Sequence, residues 1–135
     1  MRAALLCDQK TVDVKIPDAV RLLQMRRLDP LPDPVRSVRE AVDQPIGSAP
    51  LREIARGRKN ACVVISDITR PVPNKIILPP LLEALEASGM PADRITILIS
   101  NGMHRPNEGE ELEYMVGREI MERYTIVNHY CRDPR

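Results

Sequence analysis

Three short apolar runs, within residues 61–66, 94–99 and 125–128, are separated by two longer segments whose apolar residues recur at helical spacing. No other feature of the chain constrains its fold as much. Two strands joined through a helix pair in parallel, because a parallel pair needs a crossover of a dozen or more residues. The pattern predicts a βαβαβ core: strand 61–66, a helix within 74–88, strand 94–99, helices within 107–123 and strand 125–128. The runs Ala61-Cys62-Val63-Val64-Ile65 and Ile95-Thr96-Ile97-Leu98-Ile99 lack clean period-two alternation, which predicts helices over both faces of the sheet.

At 135 residues the chain has the length of one ordinary domain, and its segments divide at prolines. Residues 1–32 read as a small β-rich N-terminal segment, with residues 3–7 and 12–16 pairing as a hairpin across Asp8-Gln9-Lys10. Pro30, Pro32 and Pro34 then crowd together and disfavour helix in the residues before them. Asp33 before Pro34 predicts a helix N-cap with proline in the first turn, the helix running to about Val42. Ser48 predicts a second start, with Leu51, Ile54 and Ala55 forming an apolar stripe to about Arg58, so residues 33–58 are helical and 59–135 form the core. Pro79-Pro80 predicts a short turn over 74–78 followed by a helix from near Pro79 to just before Gly89. Asn107 with Glu110 three residues later has the spacing of a capping box.

Composition removes several functional classes. Phe and Trp are absent and the formal charge is +1, so neither a stacking platform nor a basic stripe is present for nucleic acid. Cys7, Cys62 and Cys131 are odd in number and contain no CxxC pair, which points to a reducing, cytoplasmic setting rather than a disulfide framework or zinc site. No run approaches the ~20 apolar residues of a membrane helix, and neither GxGxxG nor GxxxxGK[ST] occurs, which disfavours an ordinary dinucleotide or P-loop site.

Each of the first two predicted core strands ends in polar, ionisable residues, and ligands in open α/β sheets bind at that carboxyl edge. After the first come Asp67, Ile68, Thr69, Arg70, Pro71, Val72 and Pro73. Asp67 can accept from ribose hydroxyls and Arg70 can grip a carboxylate or phosphate bidentately; the alternative is an Asp capping backbone amides with Arg70 paired to it on the surface. After the second strand, Asn101-Gly102-Met103-His104-Arg105 places His104 beyond a glycine that permits a tight turn. An imidazole there can act as general acid or base near neutral pH; the alternative is a solvated loop histidine. His129 and Cys131 are too few for a metal site and read as structural or peripheral. Glu108, Glu110, Glu111 and Glu113 read as a solvated face at a helix start.

Taken together, Ser66-Asp67-Ile68-Thr69-Arg70-Pro71-Val72-Pro73, the segment 81–89, Asn101-Gly102-Met103-His104-Arg105, Glu110-Glu111 and Val116-Gly117 resemble the N-terminal domain of the nickel-pincer nucleotide-dependent lactate racemase family. The resemblance implies a three-layer αβα Rossmann-like domain with a mainly parallel sheet. It also implies a cofactor made of a pyridinium mononucleotide with two thiocarboxyl groups that carry nickel. By the resemblance, Asp67, Ile68, Thr69 and Arg70 line the cofactor, Arg70 also steers the substrate carboxylate, and His104 is one of two opposed histidines exchanging a proton with the 2-hydroxyl of a small 2-hydroxy acid. The second histidine, the cofactor-tethering lysine and the nickel-ligating histidine of the family fall beyond the resembling region, and Lys10, Lys15, Lys59 and Lys75 do not match the tether. The expectation is one part of a longer isomerase, inactive as an isolated fragment, whose partner is the remainder of the same protein. A non-catalytic α/β domain that binds a nucleotide or anion, or assembles with another subunit, is the competing expectation.

Overall fold

The computed structural model describes residues 1–7, 10–26 and 28–132, and the chain divides into two units, Met1–Pro30 and Leu31–Arg135. In the first, β1 (Arg2–Cys7) pairs antiparallel with β2 (Lys10–Lys15), Arg2 facing Lys15 and Cys7 facing Lys10. The hairpin is as expected, but Lys10 belongs to the ladder instead of the turn, and Asp8 and Gln9 lie outside the described residues. The N-terminal ammonium closes the open end, donating to the Ile16 carbonyl at 3.0 Å and to Asp18 at 2.6 Å. Ala3 is the one buried residue among those described in this unit.

The second unit starts with helix α1 (Pro34–Asp43), whose N-cap is Asp33: its Oδ1 accepts from the Arg36 amide at 2.9 Å, with proline in the first turn. Helix α2 (Leu51–Ala55) begins later than Ser48 suggested. Pro50, not Ser48, precedes it, and Ser48 donates to the Ala49 carbonyl without capping anything. The residue before a proline is pushed out of helical geometry, so Ala49 cannot continue a helix begun at Ser48. Gly57 at φ 74° lies just past its end.

The core follows the expected alternation: β3 (Ala61–Ser66), α3 (Asn74–Ala87), a 3₁₀ turn at Ala92–Arg94, β4 (Ile95–Ser100), α4 (Gly109–Val116), α5 (Arg118–Arg123) and β5 (Thr125–Asn128). The three strands form a parallel sheet in the order β3-β4-β5, with Ala61 beside Ile95 and Ser66 beside Ser100, then Thr96 beside Thr125 and Ile99 beside Asn128. The α/β class, the parallel sheet and the separate antiparallel pair are therefore as the sequence suggests.

Three local expectations fail. Helix α3 is continuous across Pro79 and Pro80, although each proline removes an amide from the ladder and crowds the preceding turn. Leu78, Pro80, Leu82 and Leu85 are all buried on this helix, and packing at those positions outweighs the local preference to break. The expected capping box at Asn107 does not form, because α4 starts two residues later, after Glu108, and Asn107 turns inward. The helices do not bury both sheet faces equally. Ile65, Ile95, Ile97 and Ile99 pack with α3, α4 and α5 in one core, whereas Cys62, Val64, Ser100 and Val127 on the alternate register are exposed, Val64 at 61%. Leu98 and Val64 made the strands read as uniformly apolar; Thr96, Ser66 and Ser100 on the same register were the signal of an open face.

Candidate active site

The carboxyl edge of the sheet gathers the two loops. Ser66 ends β3, and the backbone turns at once: the Arg70 amide donates to the Asp67 carbonyl at 3.1 Å and the Val72 amide to the Arg70 carbonyl at 2.8 Å. Pro71 and Pro73 bracket that turn and restrict its φ angles. Ser100 ends β4 and its hydroxyl donates to the Ile65 carbonyl at 2.9 Å, tying the two strand ends side by side. Gly102 takes φ 58° in the following turn, a left-handed conformation that suits glycine. The His104 amide donates to the Asn101 carbonyl at 3.0 Å.

These turns bring Asp67 and His104 into contact. Asp67 is buried, at 5% exposure, while the His104 side chain stands 55% exposed. Asp67 Oδ1 accepts from the Thr69 hydroxyl at 2.7 Å, and Asp67 Oδ2 is hydrogen-bonded to His104 Nδ1. Burial pushes the Asp67 carboxyl up, but the hydrogen bonds from Thr69 and His104 outweigh it and hold the group below its ordinary value. Asp67 is thus ionised at neutral pH and can only accept, so Nδ1 carries the proton in this pair. In a neutral imidazole so held, Nε2 bears the lone pair, and among the described residues it has no hydrogen-bond partner. The arrangement presents a base to solvent with its tautomer set by a buried carboxylate.

Arg70 does not pair with Asp67. Its side chain is exposed and makes no ion pair among the described residues, which removes the alternative of a surface Asp–Arg couple. Its guanidinium is free to take a carboxylate or phosphate in bidentate fashion. Arg105, on the other loop, is committed: it grips Glu111 through Nη1 at 2.7 Å and Nη2 at 2.5 Å. Glu111 is therefore more than a solvated carboxylate. Hydrogen bonds from Arg105 and then Asn107 bring it down to about 2.

Sequence reasoning missed the asparagines beneath these loops. Asn101 and Asn107 are buried, and Asn107 reaches both loops and the end of β5. Asn101 Nδ2 donates to the Arg105 carbonyl at 3.1 Å, and its Oδ1 is buried with no partner among the described residues. Turning that carboxamide over would set its oxygen against two acceptors, the Arg105 carbonyl and Asn107 Oδ1, so the observed orientation is the better one. The available clue was that Asn101 and Asn128 stand at or just past strand ends, with Asn107 in the loop between β4 and α4. His129 is exposed and enters the sheet only through its amide, which donates to the Ile99 carbonyl at 2.9 Å. Among the described residues, no three His, Cys, Asp or Glu side chains gather in a way that could hold a metal ion, and no helix is long and apolar enough to cross a membrane.

A family model described as the lactate racemase N-terminal domain matches residues 7–135. The chain belongs to the lactate racemase N-terminal domain family. Among curated relatives, a lactate racemase of Lactiplantibacillus plantarum is 45% identical over 97 residues, covering 72% of this chain and 23% of that protein. A lactate racemase of Thermoanaerobacterium thermosaccharolyticum is 36% identical over 96 residues, covering 71% of this chain and 22% of that protein. The solved structure of the lactate racemase apoprotein from the latter organism matches with TM-score 0.74 at 26% identity, over 98% of this chain and 31% of that one. The chain thus spans less than a quarter of the length of these curated relatives, and Asp67 and His104 both lie within the residues that the family model matches.

Proposed function

We propose that this domain forms the cofactor- and substrate-binding wall of a nickel-dependent racemase or epimerase of 2-hydroxy acids such as lactate. The observation that carries this reading is the ionised, buried Asp67 holding Nδ1 of an exposed His104, with the Arg70 guanidinium, which makes no ion pair among the described residues, on the same loop as Asp67. The donor set suits a group bearing phosphate and carboxylate functions: Arg70 offers a bidentate fork, while Ile68 and Thr69 supply the backbone and hydroxyl between it and Asp67. With no metal-binding cluster among the described residues, nickel would reach this wall on a nickel-pincer nucleotide rather than on ligands of this domain. When bound, that cofactor would supply hydride-accepting and hydride-donating chemistry at C2 of the 2-hydroxy acid, with Arg70 and the Asp67–Thr69 segment holding it.

The protein's share of the chemistry is proton transfer and orientation. His104 accepts the hydroxyl proton at Nε2 as the C–H bond breaks, and Asp67 stabilises the imidazolium that forms. Arg70 fixes the substrate carboxylate, which sets the C2–H bond relative to the cofactor and makes the encounter effectively intramolecular. The base serving the opposite enantiomer is assigned to sequence outside this domain, so the domain by itself is proposed to be inactive. The free, exposed thiols of all three cysteines suit a reducing cytoplasm.

The test is interconversion of D- and L-2-hydroxy acids by the whole nickel-cofactor-loaded protein that contains this domain, wild type against His104→Ala. Loss in the variant supports the reading; equal racemisation in both directions overturns the role of His104. If the loaded wild-type protein does not interconvert any 2-hydroxy acid but binds nicotinic acid mononucleotide at millimolar concentration, a non-catalytic nucleotide-binding domain replaces the racemase.

A further inference from the structure

The two loops that carry Asp67 and His104 leave different strands, and hydrogen bonds within either loop cannot fix the distance between them. Beyond the Ser100 tie at the strand ends, one buried side chain links the loops themselves. Asn107, 1% exposed, accepts at Oδ1 from the Ile68 amide at 3.3 Å and from Asn101 Nδ2 at 3.4 Å. Its Nδ2 donates to Glu111 Oε2 at 3.1 Å, and the same oxygen accepts from Arg105 Nη1 at 2.7 Å. Its main chain is held in turn by Asn128 at the end of β5, with Asn107 N donating to Asn128 Oδ1 at 2.8 Å and Asn128 Nδ2 to the Asn107 carbonyl at 3.0 Å.

We infer that Asn107 is a positioning residue: its carboxamide ties the residue after Asp67 to the residue after His104, through Ile68 on one side and Glu111–Arg105 on the other, and so sets the Asp67–His104 contact. This deepens the reading of His104 as the proton acceptor and rests on it for its catalytic consequence. The chemistry selects a carboxamide. The oxygen must accept from two N–H donors while the nitrogen donates to a carboxylate, and no other side chain of this size does both. An aspartate would set a second carboxylate beside Glu111 and lose the donation; a leucine would leave the Ile68 amide and the Asn101 carboxamide buried without an acceptor. Asn128 adds the third strand end, so every strand of the sheet contributes one anchor.

The test is carboxyl ¹³C and imidazole ¹⁵N NMR of Asp67 and His104 in the protein, wild type against Asn107→Ala. The expected result is a rise of the Asp67 titration midpoint towards the ordinary aspartate range and a change in the His104 ring signals towards mixed tautomers. Arg39→Ala, which breaks the 2.7 Å α1–α3 ion pair with Glu83, should leave both signals in place. A folded Asn107→Ala protein with wild-type Asp67 and His104 signals overturns the proposal. Should that variant fail to fold, Asn128→Ala decides: the same displacement, smaller in size, is expected, and unchanged signals overturn it. In the loaded protein, Asn107→Ala should lower kcat by about 10- to 100-fold, as a displacement near 1 Å does, with KM within about twofold. NMR displacement without any racemase activity in the wild type would retain the positioning role while rejecting the function.

Discussion

The two strand-end loops divide labour in opposite directions. After β3, the ionisable group nearest the sheet is turned inward: Asp67 is buried and both of its oxygens are engaged. After β4, the group nearest the turn faces outward, and His104 keeps one ring nitrogen free. The arginines reverse the pattern, Arg70 on the first loop having no ion pair among the described residues and Arg105 on the second locked to Glu111. Each loop thus contributes one fixed charge and one available group. A carboxylate is useful here because it is desolvated, an imidazole because it is not.

The contrast breaks most severely when the available base is removed. His104→Ala should lower kcat of the loaded protein by about 10²–10⁴-fold, the usual contribution of a positioned acid or base, with a smaller loss of thermal stability because buried Asp67 loses one of its hydrogen-bond partners; a complete loss of folding would blur the two loops' roles. Asp67→Asn keeps the shape but removes the charge that selects the Nδ1–H tautomer. Its kcat should fall by about 10- to 10³-fold, within the drop of about 10⁴-fold that loss of a buried histidine-orienting aspartate brings in a serine-protease triad, and an unchanged pH–rate profile would show that the carboxylate does not act through His104. Arg70→Ala should reduce kcat/KM by about 10- to 150-fold, the equivalent of a charge-assisted contact worth ~1.5–3 kcal/mol. Most of that should appear in KM, and an unaltered KM for a 2-hydroxy acid would dissociate Arg70 from the carboxylate.

The smallest expected effect concerns the locked arginine. Glu111 moves from an ordinary value of 4.5 down to about 2 in the folded chain. A carboxyl with a depressed folded value stabilises the fold fully above about pH 4.5 and loses that contribution as pH falls towards 2. Glu111→Gln should therefore be less stable than wild type at neutral pH, with the two converging near pH 2 in denaturation monitored by circular dichroism. A constant difference across that range would mean that Arg105 and Glu111 are not coupled in solution.

Much of the scaffold was legible because local and tertiary preferences agree there. The Asp33-Pro34 start, the strand at 61–66 and the positive-φ Gly102 all express short-range rules. The site was legible as two lists of residues but not as a contact, since Asp67 and His104 are 37 positions apart and nothing in either loop specifies the other. Asn107 was misread for the same reason. Its spacing to Glu110 satisfied a local capping rule, yet its burial against Ile68 and Asn128 satisfies three strand ends at once. Pro79 and Pro80 failed in the opposite sense, local chemistry yielding to the packing of Leu78 and Leu82.

Parallel pairing also sets when this chemistry can exist. Register between β3 and β4 joins Ala61 to Ile95, so the strands meet only after the whole α3 crossover has closed, and no hairpin-sized intermediate brings the loops together. During synthesis, a chain that has emerged through α3 already displays Asp67 and Arg70 but has no imidazole beside them. The reactive couple cannot precede the pairing of β3 with β4, and its spectroscopic signature should therefore report closure of the α3 crossover.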